Sequence, residues 1–461
     1  MKKIIISLSL LSFIALAIIG CEDYSKLTAP VFSTGSADFT RFVSIGNSLT
    51  MGEQSSSVFE TGQMYTFGNL IAKQVGTTYA QATFSDPGTG GRLEAERLDP
   101  FTLYENTNQG VPTNLTYPAP YNNLGVKGAF LYDVLNARSA STCYTANFGV
   151  PNPLFDAVLR GLGTQLELAV AQQPTFVTLW IGNNDILAFA TRGGLFPPTD
   201  PAVFQDQYTQ VLSALNATGA QIVIGAMPNA LLTPYFTTVG PGIGLSLQSL
   251  GLPGIVYAKT DGTTGTALVQ DLFTFNVLVL LPATSATDYI GDQTGAYYSD
   301  NNIPVPPGVI TAYPFGLAAE NPFPNGLVLD PSEIAAYSAL RAGYNQIISG
   351  LAQAMNYNVI NWDDLFNQLA SAEGLTVNGV TYSTTYVNGN FFSLDGIHPT
   401  SQGYGIVANE FIKAINTKYN ASIPLVDVST IPGSLVFTGS VSMGKYGIPN
   451  IPQGALDHVL F

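Results

Sequence analysis

The sequence predicts an α/β fold, a three-layer sandwich with a mostly parallel central sheet flanked by helices and with large loop insertions. Short apolar strands alternate with segments of helical pattern along the chain. Each strand is apolar on both faces, which is typical of a parallel sheet covered on two sides. Charged residues make up only 10% of the chain, which is rich in Gly, Pro, Thr and Asn. These features predict a packed body with long ordered loops.

The strands are predicted from short runs of β-branched and aromatic residues. The clearest of these runs ends in a Gly-Asn-Asn-Asp turn, and an Asn-Gly pair between two later runs predicts a hairpin. The predicted core strands cover residues 39–45, 175–181, 221–226 and 358–361, and the predicted hairpin lies within residues 375–386.

The helices are predicted from apolar periodicity and from their start signals. Asp330-Pro331-Ser332-Glu333, for example, predicts a helix start, with its end near Met355. The other predicted helices cover residues 65–75, 154–172, 201–217 and 401–418. Two irregular stretches, 77–121 and 230–328, are predicted to be loop insertions, and the second is expected to contain a helix near 264–281.

The first 20 residues predict a signal peptide. Lys2 and Lys3 precede an apolar run, which ends in Ile-Ile-Gly-Cys. This ending resembles the cleavage box of bacterial lipoproteins, which implies that Cys21 becomes the lipidated first residue. An ordinary signal or a single membrane anchor is the alternative, although the run is short for the roughly 20 residues of a spanning helix.

The remaining chain is predicted to form one domain. Residues 21–37 are expected to be a polar tether, residues 38–419 the α/β domain with its two insertions, and residues 420–461 a tail packed on that domain. The predicted location is the bacterial cell envelope, where the lipid on Cys21 would hold the protein at a membrane. The orientation of the protein and its oligomeric state stay open.

Charge and cysteine content exclude several classes of function. The chain has 31 acidic and 16 basic residues, a net charge of −15. Nucleic-acid binding needs clustered Lys and Arg, which argues against such a partner. With Cys21 lipidated, Cys143 has no partner for a disulfide and is expected to be a buried, unreactive thiol. Two histidines and two cysteines at these spacings predict no metal cluster, and no cofactor is expected.

Histidine is scarce, with two in 461 residues, so there are few places for a general base near neutral pH. His398 follows Asp395 by three residues on a Gly/Pro-marked turn, where an acid can orient the imidazole. Ser48 lies on a predicted strand-to-helix turn near the other end of the chain. This combination indicates a serine hydrolase. The second histidine, His458, has no acidic partner at useful spacing and is expected to be structural.

Four segments, in order, resemble the sequence blocks of the SGNH/GDSL family of serine esterases and lipases. They are Gly-Asn-Ser-Leu at 46–49, Asn-Leu-Gly-Val-Lys-Gly-Ala at 123–129, Ile-Gly-Asn-Asn-Asp at 181–185 and Asp-Gly-Ile-His-Pro at 395–399. The resemblance covers roughly residues 39–418 and implies a flavodoxin-like three-layer fold. One departure is Asn47, where the family usually has an Asp that braces the turn.

The resemblance implies a role for each matched residue. Ser48 would be the nucleophile, His398 the general base and acid, and Asp395 the residue that orients His398. The oxyanion hole would be formed by the backbone N–H groups of Ser48 and Gly128 and by the side-chain amide of Asn184. Taken singly, these residues could instead be a helix cap, a buried histidine, a turn aspartate, a turn glycine and an Asx-turn residue. Asp185, which also matches, is expected to brace its loop.

The leading functional hypothesis is a lipid-anchored hydrolase of carboxylic esters, whose aromatic and apolar loops favour a hydrophobic acyl group. A carbohydrate acetyl esterase is the alternative, for which exposed aromatic platforms on the second insertion would be expected. Its candidate platform residues are Tyr257, Tyr289, Tyr297 and Tyr298. A non-catalytic surface lipoprotein that binds a ligand is a further alternative from a different class.

Overall fold

The protein was analysed as a computed structural model that describes residues 32–433, 443–457 and 459. The predicted signal peptide, Cys21 and His458 lie outside these residues. The described strands are β1 (Phe42–Gly46), β2 (Arg92–Leu98), β3 (Phe101–Asn106), β4 (Phe176–Trp180), β5 (Gln221–Gly225), β6 (Gly254–Ala258), β7 (Thr264–Leu268), β8 (Leu278–Val279), β9 (Val328–Leu329), β10 (Asn358–Ile360), β11 (Leu375–Val377) and β12 (Val380–Tyr382).

The α-helices alternate with these strands through most of the chain. They are α1 (Ser48–Met51), α2 (Glu60–Gln63), α3 (Phe67–Val75), α4 (Leu131–Asn136), α5 (Leu154–Leu159), α6 (Gln165–Ala171), α7 (Asn184–Thr191), α8 (Pro201–Asn216), α9 (Pro234–Thr237), α10 (Val239–Leu250), α11 (Val269–Phe273), α12 (Ala296–Asp300), α13 (Pro331–Ala354), α14 (Asp363–Ala370) and α15 (Ser401–Tyr419). Among the described residues, no helix combines the length and apolar character needed to cross a membrane.

The central sheet is parallel and has the strand order β1-β4-β5-β10. An extended segment, residues 122–126, lies along the free edge of β1, where Leu124 N donates to Ser44 O (2.9 Å) and Val126 N donates to Gly46 O (3.2 Å). The strand order therefore reverses beside β1, since the chain leaves β1 for one side of it and then returns to the other. Ligands of open α/β sheets bind outside the carboxyl ends of strands at such a reversal.

Helices cover both faces of the sheet, which confirms the predicted α/β class. Alternate side chains of β1 point to opposite faces: Val43 and Ile45 lie in the core beneath α8 and α13, whereas Phe42 lies in the core beneath α3 and α15. In the second core, Trp180 stacks on Trp362 with ring centroids 4.5 Å apart. Burying one large aromatic side chain contributes about 2 to 3 kcal/mol.

Two stretches of the first half differ from the predictions. The predicted loop 77–121 contains the antiparallel hairpin β2–β3, which the polar sequence of β2 concealed. The predicted single helix 154–172 is two helices, α5 and α6. Arg160 and Gly161 have φ of +57° and +70° and end α5. Thr164 then caps α6, since its side chain accepts a hydrogen bond from Glu167 N.

The second insertion, residues 230–328, was predicted to carry a helix near 264–281, and only the five-residue helix α11 lies there. β7 covers the first five of these residues and pairs with β6, the short helix α11 follows, and β8 pairs with β9. The Thr-Gly-Thr-Ala-Leu sequence of β7 lacks a helical apolar stripe, and its β-branched residues suit a strand. Ile255 and Leu272 of this insertion belong to the same buried cluster as the sheet residue Ile224.

The predicted hairpin within 375–386 is β11–β12. Its turn residues Asn378 and Gly379 both have positive φ, +49° and +80°, as a type I′ turn requires. Beyond α15, the described tail residues lie against the domain. Val428 and Ile451 are buried, and Asn450 forms a parallel bridge with Thr102 of β3.

Candidate active site

Ser48 is the first residue of α1, directly after the carboxyl end of β1. Asn47 caps this helix, since its side-chain oxygen accepts a hydrogen bond from Leu49 N (3.2 Å). Gly46 must be glycine, because a Cβ there would lie 2.0 Å from Thr50 Oγ1 and 2.5 Å from Trp180 O. The turn that presents Ser48 therefore depends on a close approach between β1 and β4, and Asn47 braces it with one acceptor oxygen.

His398 lies within hydrogen-bond distance of both Ser48 and Asp395. Its Nε2 is 2.9 Å from Ser48 Oγ, and its Nδ1 is 3.0 Å from Asp395 Oδ2. All three side chains are buried, with at most 5% of each residue exposed. The structure thus brings the predicted nucleophile, base and orienting acid into one hydrogen-bonded series.

Backbone donors hold the Asp395 carboxylate in place. Oδ1 accepts from Ile397 N (2.9 Å) and His398 N (2.8 Å), and Oδ2 accepts from Ser56 N (2.8 Å). The turn is possible because Gly396 adopts a φ of +74°, where a Cβ would meet Tyr235 N at 2.9 Å. The carboxylate therefore has a fixed orientation toward the imidazole.

The charges of this pair shift both pKa values. Burial raises the pKa of the Asp395 carboxyl, but the charge and hydrogen bonds of His398 outweigh burial, and the pKa lies at about 2. Burial lowers the pKa of His398, but the carboxylates of Glu53 and Asp395 raise it above its usual value. Asp395 is therefore ionised at neutral pH, and the protonated imidazole is stabilised.

Asn184 is the first residue of α7, beyond the carboxyl end of β4. Its side-chain Nδ2 donates to Ala129 O (2.9 Å), which leaves the second N–H of this amide for another acceptor. Asn183 is also buried, but its amide atoms have no hydrogen-bond partner among the described residues. Both asparagines line the same cleft as Ser48.

Gly128 follows segment 122–126, and its two chain neighbours contact Met51 at the end of α1 and Asn184. Lys127 N lies 3.2 Å from Met51 Sδ at the end of α1, and the Ala129 carbonyl accepts the Asn184 hydrogen bond. Gly128 has a φ of +77°, a conformation that favours glycine. The three predicted oxyanion residues thus come from the ends of β1, of segment 122–126 and of β4.

Buried carboxyls hold this side of the site together. Asp185 Oδ2 accepts from Leu131 N (2.9 Å), and its Oδ1 accepts from Thr199 Oγ1 (2.7 Å). Asp185 therefore holds two other segments in place, at Leu131 and at Thr199. The sequence had instead predicted that Asp185 braces its own loop. Asp133 accepts from Phe130 N (2.8 Å) and Tyr144 N (2.6 Å). Burial raises the pKa of Asp185 to about 6 and that of Asp133 to about 7.

An apolar cleft of about 650 Å³, counting solvent at its mouth, opens beside Ser48 and His398. Besides the asparagines, its walls are mainly hydrophobic. They come from α1, β4, α7, the segment after β5, α13, α14, residues 391–399 and α15. The hydrophobic lining residues are Leu49, Trp180, Ile186, Leu187, Met227, Pro228, Ala230, Tyr337, Phe366, Phe391, Phe392, Ile397, Pro399 and Val407.

The sequence reasoning missed two charged residues of the site. Glu53 Oε2 lies 3.4 Å from His398 Nε2, and Glu53 Oε1 lies 2.7 Å from Lys127 Nζ. Lys127 directly precedes Gly128, and Glu53 follows Ser48 by five residues. Charged residues make up only 10% of the chain, and Lys127 lies within the block 123–129 while Glu53 lies four residues after the block 46–49. Their positions could have identified them as candidate site residues.

Carboxylates of Glu53 and Asp395 together with His398 have the donor types of a metal site. The contacts do not fit a resident cation, however. The Lys127 ammonium already pairs with Glu53, and His398 Nε2 faces the Ser48 hydroxyl. Cys143 is buried, with its Sγ 3.1 Å from Ala140 O, and lies apart from this cluster in the chain.

No known family profile matches the chain, and no curated protein matches it. Among solved structures, it is similar to two variants of Axe2, described as an acetyl-xylooligosaccharide esterase from Geobacillus Stearmophilus. Each is 10% identical with a TM-score of 0.33, over 83% of this chain and 97% or 96% of theirs. It is also similar to LAE5, an alpha/beta hydrolase from the metagenome of Lake Arreo, Spain (12% identity, TM-score 0.31, 82% and 96% covered). Similarities this distant do not indicate an activity for this chain.

Proposed function

We propose that the protein is a serine hydrolase that cleaves carboxylic esters through an acyl-enzyme. The observation that carries this proposal is the buried hydrogen-bonded series Ser48–His398–Asp395. A nucleophile, a base in contact with it and a third group that orients the base are the parts that this chemistry needs. The likeness of four sequence blocks to the SGNH/GDSL family supports the same assignment.

In the proposed reaction, Ser48 Oγ attacks the ester carbonyl while His398 Nε2 takes its proton. The charge that develops on the carbonyl oxygen is stabilised by the N–H groups of Ser48 and Gly128 and by the free amide N–H of Asn184. His398 then gives its proton to the leaving alcohol, and water attacks the acyl-enzyme by the same route in reverse. Asp395 keeps the imidazole in one tautomer throughout.

The apolar cleft beside Ser48 favours a hydrophobic acyl group, as in esterases and lipases. The candidate platform for a carbohydrate substrate is weak, because Tyr257, Tyr297 and Tyr298 are each 3% exposed and belong to the core. Both tryptophans, Trp180 and Trp362, are buried as well. An acetyl esterase acting on carbohydrate is therefore kept as the alternative outcome of the substrate test.

A fluorophosphonate probe tests the nucleophile. We expect the wild-type chain to be labelled and Ser48→Ala to be unlabelled, because the probe reacts with an activated serine. Ser57→Ala is a matched control, since this serine is also buried but its hydroxyl donates to Pro87 O (3.3 Å). Labelling that survives Ser48→Ala would exclude the assignment.

The substrate class is tested with p-nitrophenyl esters of increasing chain length and with acetylated xylan. We expect kcat/KM to rise from acetyl to longer acyl chains, because each buried methylene contributes about 0.8 kcal/mol. Preference for acetylated xylan would support the carbohydrate alternative. Intact protein with no turnover on either substrate would support a non-catalytic binding lipoprotein.

We further propose that the protein is attached to a membrane of the bacterial cell envelope by lipid on Cys21. The sequence of the first 21 residues supports this, through its basic start, apolar run and Gly-Cys ending. The test is membrane fractionation of the wild type and Cys21→Ser with metabolic labelling by a fatty acid. Label and membrane association should both be lost in the variant, and a labelled Cys21→Ser chain would contradict the proposal.

A further inference from the structure

Glu53 places a second carboxylate beside the candidate base. It lies one residue beyond Gly52, the αL residue that ends α1, and it is completely buried. Its Oε2 is 3.4 Å from His398 Nε2 and accepts no hydrogen bond from the described residues. His398 therefore has a carboxylate on each side, Asp395 at Nδ1 and Glu53 at Nε2.

Glu53 is part of a closed ring of buried polar contacts. Its Oε1 pairs with Lys127 Nζ (2.7 Å), and this ammonium also donates to Ser56 O (2.6 Å). Ser56 N donates to Asp395 Oδ2 (2.8 Å), and Asp395 binds His398. The ring joins the end of α1, the segment before Gly128 and the Asp395–His398 turn.

A buried ion pair contributes little to stability by itself, since an apolar pair of similar size is often as stable. Because the Glu53–Lys127 pair lies beside the candidate base His398, we looked to catalysis for its role. The charged groups that face His398 are the carboxylates of Asp395 and Glu53 and the ammonium of Lys127. The nearby phenols of Tyr386 and Tyr404 donate to Leu394 O and Glu53 O.

We propose that Glu53, with Lys127 as its counter-ion, is a positioning residue for ester hydrolysis that stabilises the imidazolium of His398. When the Ser48 proton moves to Nε2, the new N–H has the Glu53 carboxylate beside it as well as the reacting oxygen atoms. Lys127 limits the effect, because its charge partly offsets that of Glu53. The inference rests on the proposed function, in which His398 is the base.

The test measures the pKa of His398 directly, by NMR titration of its imidazole protons. The chain has two histidines, so a His458→Gln background leaves His398 as the only signal. Burial raises the pKa of Glu53 above its usual value, although the charges of His398 and Lys127 act to lower it. The titration therefore also decides whether Glu53 carries a charge that His398 senses.

In Glu53→Gln, we expect the His398 pKa to fall by roughly one to three units, as for the loss of an adjacent opposite charge. The acid limb of kcat/KM for a p-nitrophenyl ester should move to lower pH by the same amount. At pH values above the acid limb, where the rate no longer depends on pH, kcat should fall about tenfold or more while KM changes little. The double variant Glu53→Gln/Lys127→Met avoids an unpaired buried ammonium and should show a smaller fall in the same direction.

Asp133→Asn is the matched control, because Asp133 is another buried carboxyl with no contact to His398. It should leave the His398 pKa unchanged. An unchanged His398 pKa in both folded Glu53 variants, or an equal shift in the control, would overturn the inference. The proposed function is judged separately, by ester turnover and probe labelling of the wild type, and its failure would leave the titration result standing.

Discussion

The two ends of the site are both braced by buried carboxyls, yet the pKa values of one carboxyl from each end, Asp395 and Asp133, shift in opposite directions. The acid–base end consists of residues 53–56 and 395–398, and the oxyanion end of residues 128–133 and 183–185. Asp395 has a pKa of about 2, whereas Asp133 has a pKa of about 7. Both accept backbone N–H hydrogen bonds, so hydrogen bonding alone does not account for the difference.

The difference lies in what faces each carboxyl. Asp395 faces an imidazole that becomes a cation, whose charge and hydrogen bonds outweigh burial. At Asp133 burial is the dominant cause, no cation offsets it, and the charge of Asp185 adds a smaller rise in the pKa. A carboxyl that faces a cation can work electrostatically in the reaction, whereas one that is close to neutral serves as a hydrogen-bonded brace. Changes at the acid–base end should therefore affect the chemical step most, and changes at the braces should affect stability.

The largest effect is expected for Asp395→Asn. The amide cannot both accept from the turn and hold the Nδ1 proton of His398, so the wrong tautomer becomes available, and kcat should fall by about 10⁴-fold. Asp427→Asn is the control, since Asp427 also caps a turn, accepting from Ser429 N (3.1 Å), but is exposed. A loss of less than about tenfold in ester turnover by folded Asp395→Asn would contradict the role of this end.

A smaller effect is expected at the oxyanion end, for Asn184→Ala. The Asn184 amide is oriented by the Ala129 carbonyl, so its second N–H is held ready for the developing oxyanion. Its loss should lower kcat about 10²- to 10³-fold with little change in KM.

Asn183→Ala is the matched control for Asn184→Ala. The Asn183 amide lines the same cleft but has no hydrogen bond that orients it among the described residues, so kcat should fall less than about tenfold. A larger loss for Asn183→Ala than for Asn184→Ala would move the oxyanion donor by one residue.

The sequence predicted the Asp395–His398 turn and the sheet better than the loops. β1 is an apolar run that ends at Gly46, and the apolar run of β4 is followed by Gly182. Their bounds were therefore predicted within three residues, and the turns after them were readily located. β2 was missed because its Arg-Leu-Glu-Ala-Glu-Arg-Leu sequence is largely charged, and α5 and α6 were joined because the break at Arg160-Gly161 interrupts no apolar pattern. Glu53 and Lys127 meet only after folding, and neither lies in a periodic pattern.

The smallest effect is expected for Asp133→Asn, and it concerns stability. The folded pKa of Asp133, about 7, is above its unfolded value. The neutral Asp133 carboxyl therefore favours the folded state at low pH. This contribution to the free energy of unfolding, up to roughly 4 kcal/mol, is lost as pH rises from about 4 to about 7. Asn cannot ionise, but it is one weaker acceptor, which costs about 1 kcal/mol. At pH 5 this cost should roughly cancel the stability that wild type has already lost, and at pH 8 the variant should be more stable than wild type.

Urea unfolding of wild type and Asp133→Asn at pH 5 and pH 8 measures this difference. The acid–base end has the opposite sign, because the lowered pKa of Asp395 gives stability that is present above its unfolded pKa and is lost as pH falls toward about 2. If Asp133→Asn were destabilised equally at both pH values, Asp133 would be ionised in the folded protein. The two ends would then differ in position and not in charge.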